Sequence, residues 1–256
     1  MKYLLFIYLV LMGIFAFSDL NISLMLVNEG SVFAEVFDRI GFFPMMILAA
    51  FAFIILAFKS YKYLFLFLSI LMHLVMVLAY GYFANGINIF IVLFAMILFY
   101  FEYKFASRIY IDYQEKAIIM AKSLIYFMLM AFLITTIAKV IWGRPRFRSM
   151  SDPINEFMPW YILNPFGLSD DFKSFPSGHT TQAAMIIGLL FFNDLTLIKK
   201  RRPLFIFICL WTLIVALSRV IAGAHFASDV LTGMMVTYSC YYFVRSYYFN
   251  KHIKAL

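Results

Sequence analysis

The chain has 256 residues, 65% of them hydrophobic and only 13% charged, with a mean hydropathy of +0.92 and a formal net charge of +8. A soluble domain is about half apolar and about a quarter charged, so water is excluded as the solvent for most of this chain. Nucleic-acid binding is excluded as the reason for the charge, because the basic residues stand at the ends of apolar segments and form no aromatic-interleaved stripe.

Apolar segments fall at 3–17, 41–58, 63–83, 88–101, 117–138, 179–193, 203–219 and 227–244, several of them near the ~20 residues that cross a bilayer. The fold class predicted is all-α, a polytopic helical membrane bundle of about eight spans in one integral membrane unit. No repeat or Gly/Ser linker divides it. Residues 1–116 carry about four early spans and 117–256 about four more. The first segment has two readings: a span, or a secretory signal with Ala16-Phe17-Ser18 as its small-x-small cleavage site. Cys209 and Cys240 both lie inside apolar segments and read as small buried hydrophobes. His73, inside the third segment, reads as a packing residue that hydrogen-bonds a neighbouring helix.

Alternate loops test the orientation. Lys2, then Lys59 and Lys62, then Lys104, Arg108 and Lys116, the block Lys199-Lys200-Arg201-Arg202, and Arg245, Lys251 and Lys254 fall on one face. By the positive-inside rule that face is cytoplasmic, with both termini inside. The outer-face segment 139–175 breaks the rule with Lys139, Arg144, Arg146, Arg148 and Lys173, so these cations need another reason to be there. Within it, the loop 147–175 holds Pro153, Pro159, Trp160, Tyr161 and Pro165 and suits the headgroup level.

Three polar clusters reach this outer face from separate segments: Lys139 to Arg146, Phe175-Pro176-Ser177-Gly178-His179, and Ser218-Arg219 with His225 and Asp229. Each alone has a commoner structural explanation: headgroup contacts, a helix start, an interfacial pair. Together, in order and on one face, they offer an anion a common site. Ser177 and Gly178 precede a span, so their backbone N–H groups are expected at a helix N-terminus that favours phosphate. Lys139, Arg146 and Arg219 add fixed positive charge, and guanidinium forks match phosphate oxygens. Asp229 follows His225 by four residues, which on a helix lets the carboxylate accept the imidazole Nδ1–H and leaves Nε2 as a nucleophile. Attack on phosphorus gives a phosphohistidine, with His179 placed to protonate the departing alkoxide and then activate water.

The spacings Lys-x6-Arg, Pro-Ser-Gly-His and Ser-Arg-x5-His-x3-Asp resemble the type 2 phosphatidic acid phosphatase family (PAP2). The resemblance covers the second half of the chain. It implies a helical core shared with vanadium haloperoxidases and metal-free hydrolysis of lipid phosphomonoesters or pyrophosphates. It also implies phosphate binding by Lys139, Arg146, Ser177, Gly178 and Arg219, with His179 as acid, His225 as nucleophile and Asp229 as its partner. No cofactor is implied. The family's proline after the motif arginine is replaced by Phe147, and Pro145 precedes Arg146 instead, which leaves Arg144 as the alternative motif arginine. The family commonly has six spans, so two early ones are additional.

Three functions fit these residues: a phosphatase for a lipid phosphate in the bilayer, a phosphoryl transferase between lipids, and a non-catalytic binder or transporter of lipid phosphates. Candidate substrates are phosphatidic acid, phosphatidylglycerol phosphate, a polyprenyl pyrophosphate and the phosphates of lipid A. A bacterial cytoplasmic membrane, with the site on its periplasmic face, is the expected location. The orientation has a direct test: Arg148→Cys or Ser151→Cys should react with an impermeant thiol reagent on intact cells, and cysteines placed at Lys199–Arg202 should not.

Overall fold

The computed structural model describes residues 2–165, 169–193 and 201–254; Lys199 and Lys200 of the basic block lie outside these. Helices account for the regular structure, and no strand occurs among the described residues. In chain order they are α1 (Lys2–Leu26), α2 (Val32–Ile40), α3 (Phe43–Lys59), α4 (Lys62–Phe83), α5 (Ile89–Trp142), α6 (Pro153–Glu156), α7 (Gly178–Ala184), α8 (Leu189–Asn193), α9 (Arg201–Ile221), α10 (Ala227–Val244) and α11 (Asn250–Lys254). A 3-10 turn over Met185–Gly188 joins α7 to α8, and a π turn over Arg245–Phe249 joins α10 to α11. Among the described residues, five helical stretches are long and apolar enough to cross a membrane, so the chain is an all-α membrane protein.

Two apolar segments read separately from the sequence, 88–101 and 117–138, fall, apart from Asn88, within the single 54-residue element α5. A straight helix of that length runs about 81 Å at 1.5 Å per residue, far more than the ~30 Å hydrocarbon core. The helix is broken at Tyr113, whose φ of −142° and ψ of 39° are not helical. The polar residues between the two segments stay in helical conformation on either side of that break, where hydropathy alone shows only a gap.

The chain forms two compact units, each assembled from separate stretches. One holds 1–41, 131–184 and 210–238; the other holds 42–130, 185–209 and 239–256, so the expected boundary at 116/117 falls inside the second.

In the second unit, α3 packs along α4, and Phe42, Met76, Val77, Ile91 and Ala95 form a buried cluster. His73 does not hydrogen-bond a neighbouring helix as expected. Its Nδ1 is 3.0 Å from the Ser69 carbonyl of its own helix, and its Nε2 faces Glu102 of α5 at 3.5 Å, both side chains being buried. The partner was missed because it comes from another span, at the edge of the apolar segment. Both cysteines are free, Cys240 buried and Cys209 half-buried.

The first unit reverses the usual amphipathic logic. Along α1, Phe6 and Phe17 are 67% and 87% exposed, as lipid-facing groups should be, whereas Asp19 and Ser23 are fully buried. Tyr8, Met12, Asp19 and Ser23 recur at helical spacing and form one inward stripe. Tyr8 Oη lies 3.2 Å from Thr232 Oγ1, and the Met12 carbonyl accepts from Trp160 Nε1 at 3.0 Å. In hydrocarbon, where apolar contact gives little preference between protein and lipid, such polar seams orient a helix.

Candidate active site

Two glycine turns bring the polar clusters into place. Gly143, at φ 51°, ends α5, and Pro145 prevents its resumption. Gly223, at φ 63°, ends α9, after which Ala224 N and His225 N both donate to the Arg219 carbonyl, at 3.2 and 3.3 Å. A Cβ at Gly223 would also press on Arg148 Cβ at 3.2 Å, so the α9–α10 turn rests directly on the 146–149 segment. Two backbone bonds tie 144–146 to 171–174: Arg146 N to the Asp171 carbonyl at 2.7 Å and Ser174 N to the Arg144 carbonyl at 3.0 Å.

At the centre is Arg144, fully buried although it is a cation near a membrane. Its Nη1 donates to Asp229 Oδ1 at 2.6 Å and to Ser228 Oγ at 2.8 Å, its Nη2 to Asp19 Oδ2 at 3.0 Å, and its Nε to the Met158 carbonyl at 2.8 Å. The guanidinium also faces the Phe226 ring, 4.1 Å from its centroid. Asp19 in turn accepts from Ser228 N at 3.0 Å and from the Ser228 hydroxyl. Arg144, Asp19 and Ser228 were not selected from the sequence. For Arg144 a signal existed, because it shares the Lys139–Arg146 run; for Asp19 it did not, since the partner is 125 positions away.

His225 and Asp229 depart from the expected dyad. The imidazole Nδ1 lies 2.6 Å from the Ser174 carbonyl and 3.9 Å from Asp229 Oδ2. The spacing argument fails because α10 begins only at Ala227, so His225 precedes the helix instead of sharing its face. The Asp229 carboxylate is already committed, accepting from Arg144, from Phe226 N at 2.8 Å and from the Ser174 hydroxyl at 2.5 Å. Asp229 therefore reaches His225 through Ser174, whose hydroxyl donates to the carboxylate while its carbonyl takes the imidazole N–H. With Nδ1 as donor, the lone pair is on Nε2, as anticipated but by a different route.

Ser177 also departs from expectation. Its N–H donates to the Asp229 carbonyl at 3.0 Å, and its hydroxyl meets Thr180 Oγ1 at 3.0 Å and caps the Thr180 N–H at 3.3 Å. The residue is fully buried, and a buried N–H must find a protein partner. Gly178 lies against Lys139, whose Cε would be 3.3 Å from a Cβ there, so the missing side chain is what lets the lysine approach. Lys139 Nζ donates to the Lys173 carbonyl at 2.6 Å. Arg146 bonds Asp170 through Nε to its carbonyl at 3.0 Å and through Nη2 to Oδ1 at 3.1 Å.

Arg219 donates to the Ala34 carbonyl at 2.7 Å and pairs with Asp38 of α2. Asp38 Oδ1 is also 3.1 Å from His179 Nε2. Lys139, Arg146 and His179 all act electrostatically on His225, and Arg219, Lys139, Arg146 and Arg148 on His179. The three clusters named from the sequence thus meet in one unit. Chemically, the arrangement presents a fixed imidazole lone pair, a second imidazole and three cations.

The model of the PAP2 superfamily matches residues 121–253, just over half of the chain. The chain belongs to that superfamily. Curated relatives are the lipid A 1-phosphatases of Rhizobium etli and Rhizobium johnstonii, each 35% identical over 74 residues, or 29% of this chain. The similarity covers only 29% and 28% of those two proteins. No solved structure matches significantly.

Two measurements check this geometry. Arg144→Met would leave the Asp19 and Asp229 carboxylates buried without their cation, and should lower stability in detergent by about 3–5 kcal/mol. Adding Asp19→Asn should recover part of that loss in a thermal-unfolding cycle. Burial first, then Lys139, Arg146 and His179, holds His225 well below the ordinary histidine value of 6.5, against the Ser174 carbonyl bond that raises it. Because the folded value is depressed, the stability from neutral His225 is fully present above about pH 6.5 and is lost as pH falls through the lower folded value. Histidine NMR in micelles should therefore find His225 as the neutral Nδ1–H tautomer at pH 6.5; half-protonation there would contradict the site.

Proposed function

We propose that this protein is a metal-independent phosphatase of a lipid phosphate, working through a phosphohistidine on His225. The observation that carries the reading is the convergence of His225, His179, Lys139, Arg146 and Arg219 in one unit, with His225 Nδ1 held by the Ser174 carbonyl. His225 Nε2 attacks phosphorus and the P–O bond to the lipid breaks. His179 is protonated while the negative charge of the bound phosphate offsets the surrounding cations. It gives that proton to the departing oxygen, then takes one from the water that hydrolyses the P–N bond, releasing phosphate and restoring neutral His225 and protonated His179. Lys139, Arg146 and Arg219 stabilise the equatorial oxygens of the transition state, with Ser177 and Gly178 shaping the wall behind them. Asp229 holds Ser174, and through it the tautomer of His225.

Membrane crossing by about eight spans, with both termini in the cytoplasm, opens this site to the periplasmic face of a bacterial inner membrane. The basic residues support that orientation, and the cations of 139–148 cease to be exceptions once they belong to an anion site. The activity for which the Rhizobium relatives are named makes the 1-phosphate of lipid A the first substrate to test, followed by phosphatidic acid, phosphatidylglycerol phosphate and polyprenyl pyrophosphates. Transfer of the phosphoryl group to a second lipid uses the same intermediate; a binder without turnover would need the cations but not two histidines.

Purified protein in detergent with chelator should release phosphate from at least one of these lipids and be inhibited by vanadate. His225→Ala should lower the rate by at least about a thousandfold, as removal of a covalent nucleophile does. Full activity in that variant would remove the nucleophile assignment, and label appearing on a second lipid would favour transfer.

A further inference from the structure

Helix α2 (Val32–Ile40) lies outside the segment matched by the superfamily model, yet it is fastened to the site. Ser31 caps it by accepting from Ala34 N at 3.3 Å, and the Phe37 ring meets Trp211 of α9 edge-on at 5.9 Å. Gly41, just past its end, comes so close to α9 that a Cβ would stand 3.0 Å from Val215 Cγ1. Asn28 N donates to the Ile221 carbonyl at 2.8 Å. What this anchored turn delivers is the carboxylate of Asp38, which pairs with Arg219 and stands 3.1 Å from His179 Nε2.

We infer that Asp38 is a specificity-determining residue that selects phosphomonoesters of hydroxylated alcohols over diphosphates, an inference that rests on the role of His179 proposed above. A proton donor must come within hydrogen-bond reach of the oxygen it protonates. The leaving oxygen therefore approaches His179 Nε2, and the leaving group lies next to Asp38. Fixed by Arg219, the carboxylate remains there when the leaving oxygen takes its place on the imidazole. A sugar or glycerol leaving group brings hydroxyl donors that the carboxylate accepts. It departs neutral once His179 has protonated it.

A diphosphate behaves differently, because its leaving group is itself a phosphate. That group brings negative charge and only acceptor oxygens to the same position, where a fixed carboxylate repels it. Selectivity comes here from a repulsive element, and it comes from a helix that the matched core does not contain. Asp38 has a second effect common to both substrates: it offsets part of the charge of Arg219. This lowers affinity for every phosphate alike and leaves the ratio between substrates untouched.

The test is a ratio, measured on one preparation so that the folded fraction cancels. Wild type, Asp38→Asn, Asp38→Ser and Asp38→Glu are each assayed for kcat/KM with phosphatidylglycerol phosphate, whose glycerol headgroup keeps a free hydroxyl beside the leaving oxygen, and with farnesyl diphosphate in the same micelles. In Asp38→Asn and Asp38→Ser, the diphosphate-to-monoester ratio should rise at least tenfold. Asp38→Glu should keep it within about threefold of wild type. Equal change on both substrates, or loss of both activities with recovery only in Asp38→Glu, would overturn the selectivity role while leaving the phosphatase reading intact. Wild-type protein that releases phosphate from neither substrate or from lipid A would instead overturn the phosphatase reading.

Discussion

A guanidinium fully removed from water must be surrounded by anions and acceptors, or the fold containing it is unstable. Arg144 meets that requirement with the carboxylates of Asp19 and Asp229, the Ser228 hydroxyl, the Met158 carbonyl and the face of Phe226. Those partners come from α1, from the loop that follows α6 and from the start of α10, so satisfying one charge fixes three distant stretches at once. Much else in the first unit follows from it. With Asp229 held by Arg144, Ser174 has a fixed acceptor for its hydroxyl; with Ser174 held, His225 has a fixed acceptor for its ring N–H.

The same logic explains why the early helices matter to a site whose motifs all lie in the second half. α1 contributes Asp19 to the Arg144 network, and α2 contributes Asp38 to Arg219 and His179. Neither helix lies in the matched segment 121–253. In a bilayer, apolar side chains have little preference between lipid and protein, so a helix added to a core needs polar contacts to find its place. Here those contacts reach the functional groups themselves.

How much of this was legible in the sequence depends on the range of each interaction. The membrane class followed from composition, and Lys139, Arg146, His179, Arg219 and His225 followed from spacings within short runs. The departures arose where a short-range rule was carried past the element it applies to: i,i+4 pairing presumed that His225 is helical, but α10 begins at Ala227. Ser177 was read as a phosphate donor, whereas burial commits its N–H to the Asp229 carbonyl. Arg144 lay in plain view beside Arg146, and which of two neighbouring arginines turns inward is decided by tertiary packing. Asp19 and Asp38 had no local signal, since a carboxylate beside an apolar run looks the same in sequence whether it faces headgroups or a buried cation. The break at Tyr113 was hidden for another reason: hydropathy records where a segment ceases to be apolar, and backbone geometry records where it turns.

The acceptor for His225 Nδ1 is a main-chain carbonyl, which every amino acid carries. The tautomer of the imidazole is thus encoded in the path of the chain from Lys173 to Ser177 and in no single side chain. Substitution can loosen that path, by taking away the Ser174 hydroxyl or the carboxylate that holds it, but it cannot delete the acceptor. Inheritance of this feature across sequences consequently lies in the shape of the loop. A comparison of side chains alone would pass over the atom that aims the histidine.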